Sequence, residues 1–240
     1  MRVDPRIADL YSEMDAYVGV YPAHAVERAD AFALGTAFFP VGAGLWRPGT
    51  TLGQRPIVIV AHIFDGPSYR YALGPGGGNE RVSGNRTWLG LRKVLDLAEI
   101  DIESCFLTNA LMGIKTGRAT GAVRGGRAYR SQCAAFLARQ LQVLAPRLVV
   151  SLGVHAMTLL ALAVPALGEI WRHATTVTAL DLAVPPSNVV RAIRLRDDLA
   201  IDVAVLRHPC TWTNASRPGC TGRGARADAE ILRRAMARES

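Results

Sequence analysis

The sequence predicts an α/β fold, a three-layer α/β/α sandwich with a central, mostly parallel sheet. Short apolar runs alternate with helical segments along most of the chain, which is typical of a sheet covered by helices on both faces. The runs are apolar at nearly every position, which favours strands buried on both sides. Polar residues follow several of the runs directly, so we expect a site at the carboxyl edge of the sheet.

The apolar runs and the helical periodicity locate the individual elements. Strands are predicted at Ile57–Ala61, Cys105–Asn109, 147–153 and 201–206. Helices are predicted at Pro5–Tyr17, around a face formed by Trp88, Leu89, Leu91, Val94 and Leu95, from Cys133 to the stop at Pro146, from Gly153 through Leu162, and from about Arg226. These elements alternate as a doubly wound fold requires.

A single domain is expected, because 240 residues, half of them hydrophobic, can bury one core of ordinary size. We divide it into an amino-terminal segment at 1–54, a core at 55–220 that carries the motifs, and a carboxyl-terminal helix at 221–240. The amino-terminal segment shows little periodicity after its first helix. The sequence pattern therefore predicts the structure of this segment less clearly than that of the rest of the chain.

The charge balance indicates an anionic partner. The formal net charge is +8 and lysine occurs only at Lys93 and Lys115, so arginine carries the excess. Arginine forks suit phosphate oxygens, and DNA is therefore the expected partner, in single- or double-stranded form. Codon usage that favours arginine is an alternative explanation of the same composition.

Several classes of protein are not expected from this sequence. The four cysteines lack the short spacing of a zinc or iron-sulfur site, and no metal or other cofactor is predicted. The start at Met1 does not resemble a secretory signal, and no apolar run is long enough to span a membrane. A cytoplasmic monomer without membrane contacts is the expectation.

Four motifs in sequence order follow the predicted strands. They are Ala61-His62-Ile63-Phe64-Asp65-Gly66, Thr108-Asn109-Ala110, an apolar helix-strand-helix pattern from Cys133 to Ala156, and His208-Pro209-Cys210-Thr211-Trp212-Thr213-Asn214. Together they cover roughly residues 55 to 220, and their order and spacing resemble the uracil-DNA glycosylase superfamily, in particular its branch with broad base specificity. The resemblance implies that superfamily's fold and a monofunctional DNA glycosylase that flips out one nucleotide and hydrolyses its N-glycosidic bond.

The resemblance also implies roles for individual residues. His208 is expected to donate a hydrogen bond to the departing base, and Asn109 to read the pyrimidine edge with its amide. Asp65 is expected to position or activate water, with His62 as the alternative. Each has a simpler interpretation, since a His-Pro pair often forms an ordinary loop and an Asn after a strand often caps a turn.

Base stacking and DNA contacts are assigned in the same way. Phe64 and Tyr71, with Tyr69 as a further candidate, are expected to stack on the flipped base, although core packing is the alternative. Trp212 is expected to fill the space that the flipped nucleotide leaves. The remaining DNA contacts are expected from Arg118, Arg124, Arg127, Arg207, Thr211, Asn214 and Arg217.

The sequence departs from the superfamily pattern in two places. There is no cysteine before Cys105, so no iron-sulfur cluster is expected. A glycine-rich loop at 73–80 follows the first motif and leaves room for a base larger than uracil. The candidate substrates are therefore uracil, purines such as hypoxanthine, and bulky modified pyrimidines such as the glucosylated hydroxymethylcytosine of phage DNA, in repair or in antiviral defence.

Two other functions fit the same residues. One is a module that binds DNA or a modified base without turnover. The other is a hydrolase in which His62, Asp65 and His208 hold a metal ion. Loss of activity in a chelator would favour the metal-dependent hydrolase, whereas the glycosylase should be insensitive to it.

Overall fold

A computed structural model describes residues 4–29, 32–33, 35–74, 85–116, 123, 126–184, 188–211 and 214–237. Its helices are α1 Pro5–Tyr17, α2 Gly66–Leu73, α3 Arg86–Leu97, α4 Arg127–Leu144, α5 Gly153–Ala163, α6 Pro165–Ile170, α7 Val177–Ala183 and α8 Ala225–Met236. Its strands are β1 Val26–Glu27, β2 Ile57–Ala61, β3 Phe64–Asp65, β4 Cys105–Asn109, β5 Ile114–Lys115, β6 Leu148–Leu152, β7 Val189–Arg196 and β8 Leu199–Leu206. Short 3-10 turns occupy Ile102–Ser104 and Pro209–Thr211.

The main sheet has five strands in the order β4-β2-β6-β8-β7. The first four are parallel, and β7 is antiparallel to β8. The predicted α/β class with a mostly parallel sheet is therefore confirmed. All five residues of β2, β4 and β6 are buried, as expected of strands that are covered on both faces.

Helices cover both faces of the sheet, and the alternation of side chains along β2 shows how. Val58 and Val60 pack with the core residues of α1, α4 and α5, whereas Ile57 and Ile59 pack with those of α3 and α8. Successive side chains of a strand point to opposite faces, so each face of the sheet has its own apolar cluster. The result is compatible with a three-layer sandwich.

Two details of the predicted elements were wrong. The strand β7 was not predicted, because Arg191, Arg194 and Arg196 interrupt its apolar residues and hide the run. It is an edge strand with a partly exposed face, where such interruptions are tolerated. Leu89 was expected on the buried face of α3 but is 57% exposed, so that face begins at Trp88 and continues through Leu91 and Val94.

The amino-terminal segment adds to both the sheet and the core. Phe39 donates its backbone N–H to Leu107 O and accepts the backbone N–H of Asn109, so it lines up beside β4. Its side chain is fully buried near Phe106 and Phe136. A second, small sheet in the order β1-β5-β3 links this segment to the chain that follows β2.

The strand order contains one topological switch point. After β2 the chain crosses to β4 on one side, and after β6 it proceeds to β8 on the other, so the outgoing connections diverge between β2 and β6. Ligands of open parallel sheets bind at the carboxyl ends of the strands at such a point.

In the described ranges, no helix is long and apolar enough to cross a membrane.

Candidate functional site

Three histidines meet at the carboxyl edge of the sheet beside the switch point. His62 directly follows β2, His155 lies in the first turn of α5 after β6, and His208 lies two residues after β8. The ring centroids of His62 and His155 are 5.2 Å apart. A side-chain carbon added at Gly153 would lie 3.2 Å from Cβ of His208, so the start of α5 is in close contact with the His208 loop.

Two of these rings are neutral at neutral pH. Burial lowers the pKa of His62 to about 4, and electrostatic contributions from His155, Lys115, His208 and Arg130 lower it further. Burial also lowers the pKa of His208, with a further contribution from His155. The site therefore presents uncharged imidazoles in a positively charged setting, in which a group that gains negative charge is stabilised.

The protonated nitrogen of His208 follows from its contacts. The backbone N–H of Cys210 donates to Nδ1 at 3.4 Å, and the Cys210 Sγ lies 2.9 Å from the same atom. Since an acceptor at Nδ1 places the proton of a neutral ring on the other nitrogen, we assign the Nε2–H tautomer. His208 is then a neutral hydrogen-bond donor whose ring orientation is fixed by its own loop.

The loop that carries His208 is anchored by a buried ion-pair cluster, here called the Arg217 cluster. It consists of Arg217, Asp181 of α7 and Asp228 of α8. The guanidinium contacts both carboxylates and donates to Val205 O at 2.8 Å. Asp228 also accepts the backbone N–H of Arg207 at 3.2 Å, so the residue before His208 is tied to the cluster.

Asn109 lies at the same sheet edge but is buried. Its register partner is Ala61, the residue before His62, which places it beside the site as predicted. Its Nδ2 donates to Phe39 O at 3.2 Å, so part of the amide holds the amino-terminal segment against β4. The amide also carries a second N–H and a carbonyl oxygen, and reading of a base by Asn109 stays a prediction.

Asp65 has a local structural role. It is exposed, stands at the N-cap of α2, and its Oδ2 accepts from the backbone N–H of Ser68 at 3.3 Å and from the Ser68 hydroxyl at 3.2 Å. An N-cap of this kind typically stabilises a helix by about 1 kcal/mol. Pairing of β3 with β5 also sets Asp65 beside Lys115.

The predicted stacking residues separate into a core residue and a surface residue. Phe64 is 5% exposed and packs in the apolar cluster beneath α2, with its ring edge-on to Tyr69. The prediction that Phe64 stacks on a flipped base is therefore wrong, because its ring faces the core. Tyr71 is exposed on α2, and its stacking role stays a prediction.

Among the predicted DNA contacts, that of Arg217 is wrong, and those of the other residues stay predictions. The side chain of Arg217 is fully buried between two carboxylates, so it is not available to a phosphate. Arg127 and Asn214 are exposed, and Arg207 donates to the carbonyls of Ala215 and Ser216. Arg118, Arg124, Trp212, the Thr211 side chain and the glycines 76–78 lie outside the described residues.

His155 is the site residue that the sequence did not reveal. It stands among Val154, Ala156 and Met157 in an apolar helix, a setting that favours a structural role, yet it is exposed beside His62. The signal that could have found it is its position just after a predicted buried strand. Lys115, at the end of β5, also lies close enough to His62 to lower its pKa.

Within the described ranges, no group of three histidine, cysteine, aspartate or glutamate side chains is arranged to hold a metal ion. The alternative in which His62, Asp65 and His208 share a metal therefore gains no support from the geometry. No protein-family model and no curated protein sequence matches this chain.

Proposed function

We propose that the protein is a DNA glycosylase that hydrolyses the N-glycosidic bond of a flipped nucleotide at this edge of the sheet. The observation that carries the proposal is the state of His208. It is a neutral imidazole, fixed through Nδ1 with its donor at Nε2, beside the switch point of a parallel sheet. The motif resemblance and the net charge of +8 support the same function.

The chemistry requires a donor for the departing base. When the bond between C1′ and the base nitrogen breaks, its electron pair goes to the base, and negative charge grows on the base oxygen. A preorganised neutral donor stabilises that charge in the transition state, and Nε2–H of His208 would do so. The other cations near the site, Lys115 and Arg130, favour the same anion.

A water molecule completes the reaction: its oxygen bonds to C1′, and the proton that it loses balances the proton that the departing base anion takes up. His62 is neutral and can accept a hydrogen bond from that water, whereas the Asp65 carboxylate already caps α2. We therefore favour His62 over Asp65 for positioning the water. This reverses the order of the two residues in the sequence prediction, and it is part of the proposal.

The proposed substrate is uracil or a modified pyrimidine in DNA, including glucosylated hydroxymethylcytosine, in DNA repair or in antiviral defence. The glycine-rich loop that suggested room for a large base lies mostly outside the described residues. The preferred base is therefore assigned by experiment. Labelled DNAs that carry uracil, hypoxanthine, hydroxymethylcytosine or its glucosylated form are incubated with the protein in a chelator, and abasic sites are cleaved with alkali.

We expect strand breaks in at least one of these DNAs. His208→Gln should slow single-turnover excision about 10²- to 10³-fold, as loss of one preorganised donor does. His173→Gln is the matched control, because His173 is an exposed histidine after α6 and should leave the rate unchanged. Equal rates in both variants would contradict the role of His208. Breaks before alkali treatment would indicate a lyase step and direct attention to Lys115.

A second candidate is a module that binds DNA or a modified base without turnover. The observation that favours it is the engagement of Asp65 as a helix cap, because the residue predicted to activate water then has a structural task. Tight binding of one modified DNA with no abasic product, in every buffer and at high protein concentration, would establish this function instead.

A further inference from the structure

A basic groove lies between α3 and the start of α8, apart from the three histidines. Its volume is about 680 Å³. Six of the residues that line it are Lys93, Leu97, Asn214, Arg223, Gly224 and Arg226. Lys93, Arg223 and Arg226 are all exposed, so three positive charges face one concave surface.

These three charges are not compensated by nearby carboxylates. Among the described residues, none of Lys93, Arg223 and Arg226 takes part in an ion pair, whereas many other arginines of the chain do. Glu230 of α8, which contacts the backbone of the groove wall, is itself paired with Arg234 at 2.6 Å. The groove therefore keeps a net positive field that an anionic ligand can use.

The wall of the groove is held in a fixed shape. Glu230 Oε2 accepts the backbone N–H groups of Thr221 at 3.0 Å and of Gly222 at 3.2 Å. Gly224 then begins α8, whose first turn adds the positive end of a helix dipole to the side-chain charges. A preformed surface loses less conformational entropy on binding than a mobile one does.

The groove is continuous with the loop that carries His208. Asn214, six residues after His208, lines it, and α3 packs against the 3-10 turn Pro209–Thr211. Since β8 ends at the carboxyl edge of the sheet, the loop after it and the start of α8 lie at the same edge as the histidines. A chain bound in the groove would therefore lead toward the site.

We propose that this groove binds the sugar-phosphate backbone of DNA next to the flipped nucleotide. The occupant fits because phosphates are regularly spaced anions, while Lys93, Arg223 and Arg226 are uncompensated cations along one concave surface. The inference deepens the proposed function and rests on its assignment of DNA as the partner. It does not require that the bound DNA be cleaved.

The test compares two double variants that change the net charge equally. Lys93→Glu/Arg226→Glu reverses two groove charges, and Arg147→Glu/Arg194→Glu reverses two exposed charges at the amino edge of the parallel strands. Affinity for a labelled undamaged duplex is measured by fluorescence anisotropy over a salt series. Thermal unfolding shows that each variant is folded, and Lys93→Gln/Arg226→Gln provides a milder pair if the charge reversal prevents folding.

The groove variant should bind at least about tenfold more weakly than wild type at moderate salt. Its plot of log affinity against log salt should be shallower by about two phosphate contacts. The control variant should stay within about threefold of wild type, since distant exposed charges are screened. Equal losses in the two variants would overturn the groove as the binding surface, as would equal affinity of the groove variant and wild type.

The outcomes also separate this inference from the proposed function. If wild type binds DNA through the groove but excises no base, the groove proposal stands and the glycosylase proposal fails. If excision occurs and the groove variant binds as wild type does, the reverse holds. Tighter groove-dependent binding of a single-stranded RNA than of either form of DNA would overturn DNA as the occupant.

Discussion

His62 and His208 follow neighbouring parts of the same sheet edge, but the protein holds them in different ways. His62 is positioned by its strand and faces the ring of His155, and burial among positive groups lowers its pKa to about 4. His208 is held through Nδ1 by its own loop, and the Arg217 cluster fixes that loop. A histidine ring that presents an N–H donor must keep its proton on one nitrogen. A ring that only has to stay neutral can carry its proton on either nitrogen.

The difference assigns separate tasks to the two residues. The buried charges of Arg217, Asp181 and Asp228 are costly to desolvate. Because they lie beneath the His208 loop, we infer that they hold this loop in position. The environment of His62 contains no comparable ion pair in the part of the chain that the structure describes. We infer that orientation matters most at His208 and the neutral state matters most at His62.

The largest effect is expected from removal of the central cation of the Arg217 cluster. Arg217→Met leaves two buried carboxylates, Asp181 and Asp228, without their partner. Breaking a buried ion pair in this way costs about 3–5 kcal/mol in the free energy of unfolding. Urea denaturation measures the loss, and single-turnover excision shows whether His208 is displaced as well.

The control for this variant is Arg194→Met, which removes an exposed arginine outside the groove and should change stability by no more than about 0.5 kcal/mol. A triple variant, Arg217→Met/Asp181→Leu/Asp228→Leu, should regain much of the lost stability, because it leaves no unpaired charge. It should not regain activity, since Asp228 also binds the backbone of Arg207. A loss below about 1 kcal/mol for Arg217→Met would show that the cluster does not stabilise the fold.

The next effect is a dependence of stability on pH that comes from His62. Its pKa is about 4 in the folded chain and 6.5 when unperturbed, so between these values the unfolded chain binds a proton that the folded chain does not. The contribution of His62 is therefore complete above about pH 6.5 and falls as pH falls toward 4. Between pH 7 and pH 5 the loss should be about 2 kcal/mol.

Urea unfolding of wild type and His62→Gln at both pH values isolates this contribution from that of the carboxylates. The variant should lose less stability than wild type on acidification, whereas His173→Gln should follow wild type. If His62→Gln and wild type lose the same amount, His62 is not kept neutral by the fold, and its contrast with His208 disappears.

A smaller effect on stability and on the excision rate is expected at the contact between α5 and the His208 loop. Gly153 has φ +83°, a left-handed conformation that costs a residue with a side chain about 1–2 kcal/mol. A side-chain carbon there would also lie 3.2 Å from Cβ of His208, so Gly153→Ala should lower both stability and the excision rate. Gly53→Ala is the control, because Gly53 faces open space. A normal excision rate in Gly153→Ala would show that His208 tolerates displacement.

Much of the fold could be predicted because the central strands β2, β4 and β6 are buried along their whole length and are mostly apolar. The bounds of β2 and β4 agree with the predicted Ile57–Ala61 and Cys105–Asn109, since a buried strand has no exposed face to interrupt the run. The edge strand β7 was missed because one side of it meets solvent and carries arginines. Burial on both faces is thus visible in a sequence, and burial on one face is easily hidden.

The site was predictable only where function depends on position in the sheet. The sequence placed His62, Asn109 and His208 at the carboxyl edge of the sheet because each stands at or just after the end of a predicted strand, and their roles stay predictions. Phe64 and Arg217 were misjudged for a different reason. An arginine paired with carboxylates 36 and 11 residues away looks the same in sequence as a surface arginine, because only the tertiary fold brings the three together.

The smallest effect tests whether His155 belongs to the site at all. His155→Ala removes an electrostatic contribution that lowers the pKa of both His62 and His208, so the pKa of each should rise. The rise should be small, because burial is the larger cause of both shifts. NMR titration of the histidine ring protons measures it, with His173→Ala as the control. A pKa shift at His62 alone would show that His155 influences His62 and not His208. If neither pKa shifts, His155 is not part of the site.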